Sequence, residues 1–202
     1  MQFFHRASGW PGHLGVFPGT FNPVTVAHLA LARAALPRLD EILFVLPRVF
    51  PHKEYSGVSF ESRLSILKAA TAATGPVSVA SSDGGLFLEI ARECRQHYGG
   101  QVRLSFLCGR DAAERIVNWD YGQPGACLAM LREFQLLVAA RQGQYRPPPE
   151  FAHAVQHLDI DEDWDSVSAT EVRRRIALCE PWEHLVPPAA QELVRRAYVD
   201  RL

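Results

Sequence analysis

Three stretches of this 202-residue chain carry side chains whose types and spacing could do chemistry. The first runs Gly15-Val-Phe-Pro-Gly19-Thr20-Phe21-Asn-Pro-Val-Thr25-Val-Ala-His28: a strand-like start, a glycine turn, then a helical pattern. Gly19 and Thr20 can bring backbone N–H groups close to a phosphate. In a helix, Thr25 and His28 share one face of the first turn, where unpaired N–H groups and the positive dipole end attract anions. The residues also allow a plainer reading, with Thr25 as a helix cap and His28 as a partly buried histidine.

The second stretch is Leu46-Pro-Arg-Val-Phe-Pro-His52-Lys53, followed by Ser59-Phe-Glu-Ser-Arg63. A lysine in a loop after a strand is a mobile point charge for an anion, or solvated surface. Arg63 can serve the same ligand or pair with a local acid. The third is Ser166-Val-Ser168-Ala-Thr170-Glu-Val-Arg173-Arg-Arg. Ser168, Thr170 and the free N–H groups of a helix start can cradle an anion, and Arg173, one turn on, can add a forked guanidinium. Ser168 with Glu171 also reads as a capping box, compatible with a phosphate site; Arg174 and Arg175 read as surface.

The elements that must hold these residues alternate. Strands are expected at 13–19, 41–47, 77–81, 103–109, 134–141 and 154–160. Helices are expected at 26–36, 59–73, 85–98, 111–119, 126–133, 168–180 and 187–198. Residues 146–150 read as a stiff loop. The pattern implies βαβ units: an α/β fold, a doubly wound parallel sheet with helices on both faces, over residues 1–202 as one domain. Residues 1–12 are an N-terminal extension and 166–202 a C-terminal helical part. Ligands in such sheets bind beyond the carboxyl ends of the strands at the switch point, and all three stretches follow strands.

Composition limits the partners. With 48% hydrophobic and 21% charged residues the chain can pack a core, and a net charge of −1 lacks the basic footprint of a general nucleic-acid binder. A few focused donors can still bind a small anion. Neither a membrane span nor a signal peptide is expected. Cys94, Cys108, Cys127 and Cys179 show neither C-x-x-C nor zinc spacing, so free thiols and a cytoplasmic location are expected, with a homo-oligomer open.

The string GTFNPVTVAH resembles the (H/T)-x-G-H signature of the nucleotidylyltransferase superfamily, and is most similar to nicotinate or nicotinamide mononucleotide adenylyltransferases. Thr25 stands at the first position of that signature, and Ala27 replaces its glycine. The 47–53 loop resembles the family's P-x-x-P-H-K, residues 59–63 its S-x-x-x-R helix start, and residues 168–173 its I-S-S-T-x-x-R, with Ala169 for the second Ser. Gly109-Arg-Asp111 resembles its G-x-D segment, and Trp119 stands where a tryptophan stacks on a pyridine ring. Weaker likenesses are Phe134–Arg141, with Ala140 before the arginine, and Leu185-Val-Pro-Pro.

The resemblance implies a Rossmann-like fold and transfer of AMP from ATP, with Mg²⁺, to nicotinic acid mononucleotide or its amide in NAD biosynthesis, releasing pyrophosphate. It implies catalytic roles for His28, Thr25, Lys53 and Arg173. ATP would meet Gly19, Thr20, Phe21, His28, Gly109, Asp111, Ser168, Thr170 and Arg173. The acceptor would meet Thr20, Phe21, Lys53, Asp111 and Trp119. Asp111 could equally be a helix N-cap and Trp119 a core residue. One segment departs: Ser81-Ser-Asp83-Gly84-Gly85-Leu-Phe-Leu replaces a threonine-rich run that helps hold the ring, and an aspartate facing the ring would repel a nicotinate carboxylate. The rival readings are another phosphorylated acceptor such as phosphopantetheine, CTP as donor, or a silent nucleotide sensor.

Overall fold

The computed structural model describes residues 1–49, 55, 57–119, 122–123, 125–139, 145–160, 164 and 166–200. Its strands are β1 (Gln2–His5), β2 (His13–Pro18), β3 (Glu41–Pro47), β4 (Val77–Ser82), β5 (Arg103–Gly109), β6 (Gln135–Ala139) and β7 (Val155–Leu158). They form one seven-stranded sheet in the order β1-β4-β3-β2-β5-β6-β7. All neighbours pair parallel except β1, which runs antiparallel to β4 with Phe3 opposite Ala80. The helices are α1 (Val26–Ala35), α2 (Phe60–Thr71), α3 (Phe87–Tyr98), α4 (Arg110–Asn118), α5 (Ala126–Met130), α6 (Ala169–Ala177) and α7 (Gln191–Val194), the last continuing as a π-helical turn, Arg195–Val199.

The period of two along each strand feeds two cores. Ile42, Phe44 and Leu46 point into one and Leu43 and Val45 into the other; Leu107 is divided from Phe106 and Cys108 in the same way. Residues of α1, α2, α6 and α7 pack in the first core, and those of α3 and α5 in the second. The chain builds outward from β2 to β3 and β4, then returns to place β5 on the other side of β2. That reversal makes the β2–β5 junction the switch point, where a crevice opens beyond the strand ends. His28 follows β2, and Gly109 and Asp111 follow β5.

Three local expectations change. The segment 1–12 contributes the edge strand β1, whose partner, β4, lies far along the chain and leaves no local pattern. The expected helix 187–198 is broken: Pro188–Ala190 is a 3₁₀ turn after Pro187, before α7 and its π turn. Asp111 is not a cap: Gly109 holds the N-cap position of α4 and Asp111 lies in its first turn. The cysteines are free thiols, and among the described residues no helix is long and apolar enough to cross a membrane.

Candidate active site

The turn between β2 and α1 places the first cluster. Thr25 is fully buried at the N-cap of α1, with extended backbone. Its N–H donates to Nδ1 of His28 at 3.0 Å, and its Oγ1 lies 2.7 Å from the same nitrogen. Nδ1 is therefore an acceptor, and in the neutral ring the proton must sit on Nε2. The ring is held edge-on by Phe21, with centroids 5.3 Å apart, and Phe17 and Phe44 pack around Phe21. The contacts thus fix the orientation of the His28 ring and leave Nε2–H as its outward donor.

Gly19 and Phe21 have structural roles in the turn. The Gly19 N–H already donates to the carbonyl of Val45 at 3.0 Å, so that amide is not aimed at a phosphate. The glycine is needed sterically: a Cβ there would stand 2.8 Å from the Phe21 ring. Phe21 is only 2% exposed, so its side chain supports His28, and its backbone is the part that could meet a nucleotide.

Three elements brace this turn. From α2, buried Arg63 donates to the Thr20 carbonyl at 2.9 Å and lies 4.4 Å over the Tyr55 ring. Burial lowers its pKa, and its guanidinium holds a backbone carbonyl of the turn. From α6, Arg173 donates to the carbonyl of Asn22 at 2.5 Å and to Thr170 Oγ1 at 3.3 Å. From the C-terminal π turn, the Tyr198 hydroxyl donates to Asn22 Oδ1. A Cβ on Gly57 would press within 2.4 Å of Asn22 Nδ2, so that glycine lets its loop close over the amide. The first and third stretches, 151 residues apart, therefore meet at Asn22.

Ser168 caps α6 by accepting from the Glu171 N–H at 3.0 Å. The Glu171 carboxylate pairs with Arg174 and Arg175, whose bonds pull its pKa down to about 2. Those two arginines are surface residues of a salt-bridge network, as expected. The first-turn amides of α6, exposed Thr170 and half-buried Arg173 stand together, an arrangement able to receive an anion.

Two cavities flank the segment after β5. One, of about 620 Å³, is lined by His28, Gly109, Asp111 and Arg115 among others. The second, of about 570 Å³, is lined by Thr20, Gly109, Trp119 and a largely apolar wall that includes Leu86 and Phe87. Trp119 is 46% exposed and so is not a core residue. Ser168, Thr170 and Arg173 line neither cavity; their tie to the site is the bond to Asn22. Lys53 and His52 lie outside the described residues, as does Arg141.

The unusual 81–88 segment has its own logic. The Glu89 carboxylate reaches back to cap the amides of Gly85 and Leu86 at 2.9 and 3.0 Å. Glu93 accepts from Ser82 Oγ at 2.7 Å and from the Gly84 amide. Asp83 turns outward, 83% exposed at its side chain and 3.8 Å from Arg48, and is not among the residues lining the second cavity. The anticipated repulsion of an acidic ring does not arise from this geometry.

Residues 16–175 match the family profile described as cytidylyltransferase-like. The chain belongs to that family, whose members are nucleotidyltransferases. A relative from Chromobacterium violaceum is 30% identical, aligned over 91% of this chain and 96% of its own length, and one from Moorella thermoacetica is 29% identical over 92% and 90%. Both bear the name "Probable nicotinate-nucleotide adenylyltransferase". Among solved structures, Plasmodium falciparum nicotinic acid mononucleotide adenylyltransferase complexed with NaAD superposes with a TM-score of 0.68. It shares 14% identity, and the match covers 91% of this chain and 95% of that one. The likeness extends the Rossmann-like fold to this family member.

Proposed function

We propose that the chain transfers AMP from MgATP to nicotinic acid mononucleotide, releasing pyrophosphate, as a cytoplasmic step of NAD synthesis. The observation that carries this reading is His28: a histidine locked as an Nε2–H donor, on the first turn of α1, lining the switch-point cavity beside Gly109 and Asp111. Such a group can stabilise charge on a phosphate without giving up its proton. The names of the relatives supply the acceptor class.

An acceptor phosphate oxygen attacks the α-phosphorus of ATP in line, and the bond to pyrophosphate breaks; no covalent enzyme intermediate is needed. Catalysis is positioning and preorganised charge stabilisation. His28 donates to the phosphate undergoing substitution. The α6 start, with Ser168, Thr170 and Arg173, receives the β- and γ-phosphates, and Lys53 the acceptor phosphate. Asp111, in the first turn of α4, accepts from nucleotide hydroxyls. Magnesium would arrive as part of the MgATP substrate and would offset charge on its phosphates. Exposed Trp119 offers an indole face for a flat, electron-poor ring.

Pyrophosphate release tests this reading. MgATP should support turnover with nicotinic acid mononucleotide and fail with phosphopantetheine, and MgCTP should fail with both. Turnover with phosphopantetheine alone would leave the family assignment and remove the pyridine nucleotide. Absence of turnover with every pair would favour a sensor.

A further inference from the structure

Arg115 is the charged residue of the second cavity: every other described residue lining it is uncharged, and the wall is built from groups such as Phe87, Ile116 and Met130. It also lines the cavity that contains His28, so it stands on the partition between the two spaces. Its Nε donates to the Asp111 carbonyl at 3.2 Å, one turn back along α4. That bond anchors the stem and leaves the two terminal nitrogens of the fork for another partner. The neighbouring Arg110 pairs with Glu114 at 2.8 Å, whereas Arg115 makes no ion pair among the described residues. A guanidinium at the wall of an apolar cavity, with no acid of its own, fits an anionic ligand.

The other wall does not serve that anion. Segment 85–88 brings no hydroxyl, and the amides of Gly85 and Leu86 are taken by Glu89. Trp119 follows Arg115 by four residues and lines the same cavity, so indole and fork project from one side of the α4 end. A flat ring stacked on the indole would present its substituent to the fork.

Resting on the function proposed above, we propose that Arg115 selects the acid form of the acceptor by pairing with the carboxylate on its ring. The amide form carries no charge there and gains no ion pair, so selectivity comes from one charge-assisted, bidentate contact.

The test is kcat/KM for nicotinic acid mononucleotide and for nicotinamide mononucleotide, in the wild type, Arg115→Gln and Arg115→Lys. The acid-to-amide ratio should fall about tenfold or more in Arg115→Gln, with the KM for ATP little changed and the melting temperature preserved because the residue is exposed. Arg115→Lys should recover part of the ratio, since charge is kept but the fork is lost. An unchanged ratio in Arg115→Gln overturns the proposal, as does an equal loss on both acceptors, which would put Arg115 on a phosphate common to them. In both cases wild-type turnover of the acid leaves the proposed function intact. A wild type that uses neither acceptor defeats that function, and the role of Arg115 with it.

Discussion

The backbone N–H of Thr25 donates to Nδ1 of His28, and that bond decides which ring nitrogen carries the proton. A capping interaction at the start of α1 thus doubles as tautomer control for the residue proposed to donate to the reacting phosphate. His28→Ala should lower kcat by about 10²-fold or more with a smaller change in the KM for ATP, the signature of a lost preorganised donor. Thr25→Val keeps the backbone donor and should cost far less. A His28→Ala enzyme with near-normal kcat would remove His28 from the mechanism, and ¹⁵N NMR of the imidazole should show the proton on Nε2.

Arg173 reaches three groups at once, the carbonyls of Asn22 and Ala169 and Thr170 Oγ1. Arg173→Lys keeps the charge but cannot span all three, so the KM for ATP should rise clearly. Isothermal titration of MgATP should show weaker binding to Arg173→Ala. Equal affinity in wild type and variant would restrict Arg173 to bracing the turn.

Arg63 is 3% exposed and holds the Thr20 carbonyl. Arg63→Met should destabilise the fold by about 1–3 kcal/mol, through loss of a hydrogen bond from a charged group. It should also lower kcat/KM, because the β2–α1 turn loses a brace. Urea unfolding and steady-state rates measure the two effects; a variant of unchanged stability would contradict the role assigned here.

Acid should weaken the fold at the opposite end of β2. Burial first, and then the charge of Arg103, hold the His13 pKa below its usual 6.5. As pH falls below 6.5 the unfolded chain takes up this proton before the folded one does. Stability present above that pH is therefore lost on the way down through the lowered folded pKa. His13→Gln keeps a polar group near Ser105, its partner at 2.8 Å, and removes the titration. Its urea midpoint should change less than that of the wild type between about pH 7 and pH 5. Equal pH dependence in both proteins would exclude His13 as the source.

Much of the site was readable because it is local. Gly15–His28 combines a strand period, a glycine turn and a helix start within one stretch, so Thr25 and His28 could be placed on one face before any contact was known. Gly109 and Asp111 stood at a strand-to-helix junction, and their resemblance to the family's G-x-D segment is what singled them out. Arg63 and Arg173 stood out as candidates, but their bracing bonds were not readable, and Tyr198 carried no signal. Arg63 and Tyr198 meet the turn across 43 and 176 residues, and Arg63 binds a backbone carbonyl, which leaves no sequence signature. Arg115 carried no motif; what marks it is the apolar wall around it. At Phe21 the motif pointed to the backbone, and the structure adds a role for the side chain, packed between Phe17, Phe44 and His28.

The most direct test of adenylyl transfer follows the α-phosphate itself. Enzyme is incubated with α-³²P-labelled MgATP and nicotinic acid mononucleotide, and the products are separated by chromatography. The label should appear in nicotinic acid adenine dinucleotide, in step with pyrophosphate release, and that yield should collapse in His28→Ala. Label that remains in ATP, or moves only to free AMP, would contradict the account.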